Sequence, residues 1–402
     1  MIGEDILKNL IQENNSKIVL VVMDGAGDLP DKSGKTALQE ANIPHLDGLA
    51  EKSSLGLTIP VDYGITPGSG PAHLSLFGYD PVKDEMGRGV LEAYGIGLEL
   101  EPDQLAARAN FATRNSDGII LDRRAGRIST EENERLCKKI NRSVDTIDDV
   151  KVKVYPGKEH RFVVIFTGPD LHDGLLDADP EEINKKENFV ENTDEKSARA
   201  ANIANKFLKK IHEILKDEKQ ANTCLLRGLA ARPSISGFKE RYGLKARAIA
   251  TYPMYKGLAR IVGMETASGL KTIEDEIQSL KNDYANYDFF YLHIKKTDSY
   301  GEDGNRPSKV EVMEEFDRML PDILKLNPDV VCVTADHSTP TTMSGHSWHP
   351  NPLLIYSSSL RKDKGKKFDE YSCADGMLGT VYAKNVMQLL LAHSHRLKKF
   401  GA

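Results

Sequence analysis

Apolar residues along this chain fall into two rhythms, and the change between them divides it. Short, β-branched apolar runs recur towards both ends: IVLVVM (18–23), GLTIPV (56–61), NTCLLRG (222–228), KARAIATY (245–252), DFFYLHI (288–294), DVVCVTAD (329–336) and NPLLIYS (351–357). Unbroken runs of this length predict strands covered on both faces, the habit of an α/β sheet. Segments with apolar residues at three- and four-residue spacing alternate with them, as in MYKGLARIVGM (254–264), KVEVMEEFDRMLPDIL (309–324) and AKNVMQLLLAHSHRLKKF (383–400), and predict helices. The middle of the chain reads differently. RANFATR (108–114) and GIILDRRAGRI (118–128) predict a hairpin about a polar SDG turn, and KVKVYP with HRFVVIFTG (151–168) a second strand pair. TEENERLCKKINR (130–142) predicts a charged helix, and SARAANIANKFLKKIHEILKD (197–217) a strongly amphipathic one.

The expected architecture is therefore an α/β core sheet with helices on both faces, formed by residues 1–103 and 222–402. A smaller α+β domain, residues 104–221, interrupts it. The first 17 residues read as a short amphipathic helix without the apolar core of a signal peptide. No apolar run is long enough to span a bilayer, so no membrane role is expected.

Charge narrows the partners. The 402 residues carry a formal net charge of −6, which argues against a nucleic-acid binder. An anionic substrate must then meet a local basic cluster. The four cysteines, Cys137, Cys224, Cys332 and Cys373, show no CxxC spacing. Free thiols in a reducing compartment are expected.

Candidate chemistry sits at the ends of the apolar runs. Asp24 closes the first, and Asp336-His337 close VVCVTADHSTP. The carboxyl edge of an open α/β sheet is where ligands bind. Ser69, between two glycines in TPGSGPAHLSLFGYDP, has two readings: a helix N-cap, or a nucleophile activated by metal-ligand residues facing it. Asp298 and Glu302 lie in KKTDSYGEDGN, which also reads as a solvated acidic loop, and His346 precedes the 351–357 run with His349 close by. Together they could form two divalent-metal sites: Asp24, Ser69, Asp336 and His337 in one; Asp298, His346 and Glu302 in the other. Arg123, Arg124 and Arg127 in DRRAGR, with His160 and Arg161, could grip phosphate or carboxylate, or form a salt-bridged turn. Lys256 could offset phosphoryl charge or be a surface lysine.

These segments resemble a known family. GKTALQEANIPHLDGLA, TPGSGPAHLSLFGYDP, GRGVLEAYGIGLEL, RANFAT, DRRAGRI, HRFVVIFTG, CLLRG, YKGLARIVGM, TADHSTP and KFGA occur in order along nearly the whole chain. The series is similar to the archaeal-type cofactor-independent phosphoglycerate mutases of the alkaline phosphatase superfamily. The resemblance implies an alkaline-phosphatase-like core with an inserted substrate domain. It also implies interconversion of 3- and 2-phosphoglycerate through a phosphoserine, without 2,3-bisphosphoglycerate. Ser69 would be the nucleophile, with Lys256 and Arg124 also catalytic. Asp24, Asp336 and His337 would hold one metal ion, and Asp298 and His346 the other. Arg123, Arg127, His160 and Arg161 would hold the substrate.

Three departures stand out. DSYGEDG (298–304) replaces the usual DEAGHDG, so Glu302 stands where a histidine ligand is expected, a swap that favours manganese or magnesium over zinc. DADPE (177–181) stands for DTDPH, and LGTV (378–381) for LGRI. The alternatives are a metal-dependent phosphatase or phosphotransferase on another small phosphorylated metabolite, or a non-catalytic metabolite-binding homologue.

Overall fold

The computed structural model describes residues 3–84, 86–363 and 366–401. Among them are fourteen strands: β1 (Ile18–Met23), β2 (Ser54–Ile59), β3 (Gln104–Arg114), β4 (Ile120–Asp122), β5 (Thr146–Ile147), β6 (Val150–Pro156), β7 (Arg161–Thr167), β8 (Thr223–Ala231), β9 (Ala246–Ala250), β10 (Glu265–Thr266), β11 (Phe289–Ile294), β12 (Val330–Thr334), β13 (Asn351–Ser357) and β14 (Gly379–Tyr382). The chain divides into two units, Met1–Glu85 with Ile235–Ala402, and Met86–Ser234.

The larger unit holds an eight-stranded sheet in the order β10-β9-β11-β1-β12-β13-β2-β14. Its centre is parallel: β1 lies between β11 and β12 and runs with both. Every residue of these three strands is buried, as their unbroken apolar sequences require. β13 runs against both β12 and β2. One edge of the sheet therefore collects the C-terminal ends of β1, β2, β9, β11 and β12 and the N-terminal end of β13.

The smaller unit has a six-stranded antiparallel sheet, β4-β3-β7-β6-β5, with β8 also on β3. The helices Thr130–Ser143 and Ala198–Leu215 lay their apolar stripes on it, around Phe111 stacked on Phe162 at 4.2 Å. This unit is wider than the 104–221 read from the sequence. β8, expected in the larger sheet, pairs with β3 along seven residue pairs from Leu105–Ala231 to Ala112–Thr223. Its apolar run fits either sheet; pairing decides. The C-terminal helix also ends sooner than expected, at His393, because His395 takes φ 55°.

Candidate metal and phosphoryl-transfer site

The ligand-type residues meet at the carboxyl edge of the larger sheet. Asp24 follows β1, Asp298 follows β11, and Asp336 and His337 follow β12. Adjacent parallel strands thus deliver three carboxylates and an imidazole to one place. Two sets form, each with ligand atoms within 4.8 Å of one another: Asp24, Asp336 and His337; and Asp298, His337 and His346. His337 belongs to both. Its ring stacks on that of His346 at 3.6 Å.

The first set fits a metal ion. Its side chains are fully buried, and among the described residues nothing donates a hydrogen bond to Asp24 Oδ1 or Asp336 Oδ2. Buried carboxylate oxygens left bare are costly, and a cation satisfies them. His337 Nε2 lies 3.4 Å from Asp24 Oδ1 and 3.1 Å from Asp336 Oδ2. Burial works to raise the Asp336 carboxyl, but the imidazoles of His337 and His73 hold it well below the usual range. Behind the set, His73 Nδ1 donates to Ser69 O at 2.8 Å and lies 3.2 Å from Asp336 Oδ2; Tyr255 donates its hydroxyl to Asp24.

Ser69 is not the N-cap. Gly68 holds that place, and Ser69 opens the helix Ser69–Leu76. Its Oγ turns to His337 Nε2, 3.2 Å away. Amides at a helix start face outward, where an anion is favoured.

One reading puts Asp298 and Glu302 in a solvated acidic loop. They lie instead on a short helix, Lys296–Glu302, one turn apart and so on one face. Gly301 lets that helix approach, since a Cβ there would come within 2.5 Å of Thr339 O. His346 Nε2 sits 3.5 Å from Asp298 Oδ1 and 3.8 Å from Glu302 Oε1, and His346 Nδ1 donates to Pro67 O at 2.9 Å. Nε2 is thereby the nitrogen left for a ligand. Against burial, Asp298 raises the His346 imidazole to about 9. Burial likewise opposes ionisation of Asp298, but His346 and Lys295 keep its carboxyl below its ordinary value. His349 joins neither set; its Nδ1 pairs with Ser347 Oγ at 3.0 Å.

Among the described residues, Lys256 forms no hydrogen bond or ion pair with either set. It lies on the helix Pro253–Ile261, which packs against the serine helix. Burial and Arg260 depress its ammonium, with Glu276 opposing. The ammonium in the site is that of Lys295, 3.0 Å from Asp24 Oδ2 and bonded to Asp298. A second lysine, Lys309, is fully buried and donates to the carbonyls of Gly25, Gly27 and Thr339 at 2.9, 3.3 and 2.8 Å. It ties the segment after β1 to the segment after β12. Asp28 lies 3.7 Å from it, and Glu370 accepts from Asp28 N at 3.0 Å and Thr36 Oγ1 at 2.6 Å. Burial pushes the Glu370 carboxyl up to about 7. Lys295 stands within a segment the sequence had marked; Lys309, on an amphipathic helix, carried no signal.

In the smaller unit, Arg123 grips Asp179 with two hydrogen bonds of 2.9 and 2.7 Å and tethers the 177–181 segment. Arg124 and Arg127 are exposed beside it. His160 is buried, and desolvation followed by Arg161 pushes its imidazole down to about 4. Sequence reading missed Arg108 and Arg227, which the β3–β8 register sets opposite one another. Burial depresses the Arg108 guanidinium; Glu92 opposes this, and Arg161, Arg227 and Arg88 add to it. Guanidiniums so close suit an anion, although Asp177 and Asp179 each lie 3.5 Å from Arg227. Arg227 also binds Glu181 at 2.7 Å, one of the departures noted above.

A family model for 2,3-bisphosphoglycerate-independent phosphoglycerate mutase matches residues 50–221. A Thermosipho africanus protein named as a probable 2,3-bisphosphoglycerate-independent phosphoglycerate mutase is 54% identical over 399 residues, 99% of both chains. One of the same name from Thermus thermophilus is 46% identical over 402 residues, again 99% of each. The solved cofactor-independent phosphoglycerate mutase of Thermoplasma acidophilum superposes with a TM-score of 0.71 at 32% identity, covering 94% of this chain and all of that one. A solved Pyrococcus horikoshii protein gives 0.82 at 31% identity, covering 97% and 100%. The chain belongs to the 2,3-bisphosphoglycerate-independent phosphoglycerate mutase family.

Proposed function

We propose that this chain interconverts 3-phosphoglycerate and 2-phosphoglycerate, with Ser69 carrying the phosphoryl group between the two positions. The observation that carries this is the Ser69 hydroxyl at 3.2 Å from His337 Nε2, the ring shared by both donor sets. In the first half-reaction the Ser69 Oγ–P bond forms as the substrate O–P bond breaks. The serine gives up its proton, and the freed glycerate oxygen takes one up. The glycerate then presents its other hydroxyl, and the second half-reaction is the first reversed. Two divalent ions, held by Asp24, Ser69, Asp336 and His337 and by Asp298, Glu302 and His346, would lower the serine's pKa and neutralise phosphoryl charge. A carboxylate at 302 favours manganese or magnesium.

The chain's own cations complete the scheme. Lys295 adds positive charge beside Asp24, and Lys256 is the further candidate to meet the phosphoryl oxygens. Arg108, Arg124, Arg161 and Arg227, with His160, suit the anionic ends of phosphoglycerate; Arg123 and Arg127 support them. Buried free thiols at all four cysteines favour a reducing, cytoplasmic setting. Among the described residues no helix is long and apolar enough to cross a membrane.

Phosphorus NMR of the protein with 3-phosphoglycerate and manganese or magnesium tests the reading. Appearance of 2-phosphoglycerate, lost in Ser69→Ala, supports it. Release of inorganic phosphate alone points to a phosphatase, and no reaction with either ion refutes the mutase assignment.

A further inference from the structure

We propose that Thr339 is a positioning residue whose hydroxyl couples the two donor sets and fixes the His337 ring. The inference rests on the two-ion reading above. Thr339 Oγ1 lies 2.7 Å from Asp298 Oδ1 and 3.0 Å from His337 Nδ1. A hydroxyl has one hydrogen to donate. A carboxylate only accepts, so the hydrogen goes to Asp298. The oxygen's lone pair then faces His337, and an Nδ1–H fills it. His337 Nδ1 is 4.0 Å from Asp298 Oδ1, too far to bond directly, so the hydroxyl bridges them.

This chain of two hydrogen bonds commits the ring to one tautomer. The lone pair falls on Nε2, the atom facing Asp24, Asp336 and Ser69. The other tautomer would put a hydrogen into that space and exclude a cation. The threonine is itself held on several sides. Its N–H lies 3.2 Å from Gly25 O and 3.0 Å from Gly27 O, its carbonyl accepts from Lys309, and its methyl lies against Gly301. Its side chain reaches one ligand of each set, so loosening it disturbs both.

Two substitutions separate the hydroxyl from the methyl. Thr339→Val keeps the shape and removes the hydroxyl; Thr339→Ser keeps the hydroxyl and removes the methyl. Manganese is titrated calorimetrically into metal-free wild type and both variants. The ¹⁵N imidazole spectrum of each metal-free protein is recorded, with the His337 signals identified by their loss in His337→Gln. In Thr339→Val, both binding steps should weaken by about 10–100-fold, the usual effect of removing an outer hydrogen-bond partner, and the His337 Nδ1–H signature should disappear. Thr339→Ser should bind within about threefold of wild type and keep the signature. The proposal is overturned by a valine variant that binds both ions like wild type, weakens one step only, or leaves the His337 signature unchanged. It is also overturned if serine weakens both steps, since the methyl contact would then be responsible. If Thr339→Val does not fold, the serine result decides. Wild type failing to take up two ions would instead refute the two-ion reading, and needs no variant to detect.

Discussion

Glu370 should make the larger unit less stable as pH rises, and Glu370→Gln should remove that dependence. Its carboxyl is pushed from 4.5 up to about 7, chiefly by burial, with Thr36, the Asp28 amide and Lys309 opposing. Below pH 4.5 folded and unfolded chains both hold the proton, and the group costs nothing. Between 4.5 and about 7 only the unfolded chain releases it, so stability falls through that window. Above it, both have lost the proton and the folded chain bears the full cost, ~3.4 kcal/mol at ~1.36 kcal/mol per pKa unit. Integrated from pH 5 to 8, the change is about 2.5 kcal/mol. Glutamine has nearly the same shape and cannot ionise. Trp348, the chain's single tryptophan, lies in the same unit, so its fluorescence follows the relevant unfolding. Urea unfolding of both proteins in chelator at pH 5, 6, 7 and 8 gives the comparison. The glutamine variant's relative stability should rise by about 2.5 kcal/mol across the series. A difference flat to within ~0.5 kcal/mol would refute the reasoning, because Lys309 would then hold Glu370 as an anion throughout.

Lys309→Met should lower the metal-free melting temperature by roughly 5–10 °C by differential scanning calorimetry, since removing a buried hydrogen-bonded charge costs about 3 kcal/mol and leaves Thr339 O without its donor. Glu302→Gln should weaken calorimetric binding of one manganese ion by about 10–100-fold and leave the other unchanged. Arg108→Gln should raise the KM for phosphoglycerate by about tenfold or more in steady-state assays, the loss of one charged hydrogen bond, with kcat changed less. Saturating manganese at about 100 times its dissociation constant should stabilise the protein by about 2.7 kcal/mol per site, read as a melting shift that chelator reverses.

The sequence announced the centre of the larger sheet because β1, β11 and β12 are buried on both faces, and such strands cannot hide their apolar runs. It placed Asp24, Asp336 and His337 at the ends of such runs, and the parallel strands carry them to one edge of the sheet. What escaped it depends on contacts distant in the chain. β8 is as apolar as a core strand, and only its register with β3 assigns it to the smaller sheet. Arg108 and Arg227 become neighbours through the same register. The turn of helix carrying Asp298 and Glu302 is weak in isolation, with a glycine inside it, and forms where Gly301 can meet Thr339. Lys309 sits on an amphipathic helix, where a lysine ordinarily faces water, and its burial follows from three carbonyls that have no sequence signature.

The two donor sets differ in how much water reaches them. The side chains of Asp24, Asp336 and His337 are closed off completely, whereas in the second set Asp298 is 3% and His346 21% exposed, and Glu302, outside the set but 3.8 Å from His346, is 56% exposed. Exchange kinetics should follow this gradient. An ion beside Glu302 can trade ligands for water one at a time, while an ion behind the buried carboxylates must wait for the surrounding segments to open. On the two-ion reading, when the supply of divalent ions fluctuates, the outer position would track it quickly and the inner one would keep a memory of past supply. The protein would then pass through a long-lived singly loaded form, and the time for lost activity to return would depend on which ion had been removed.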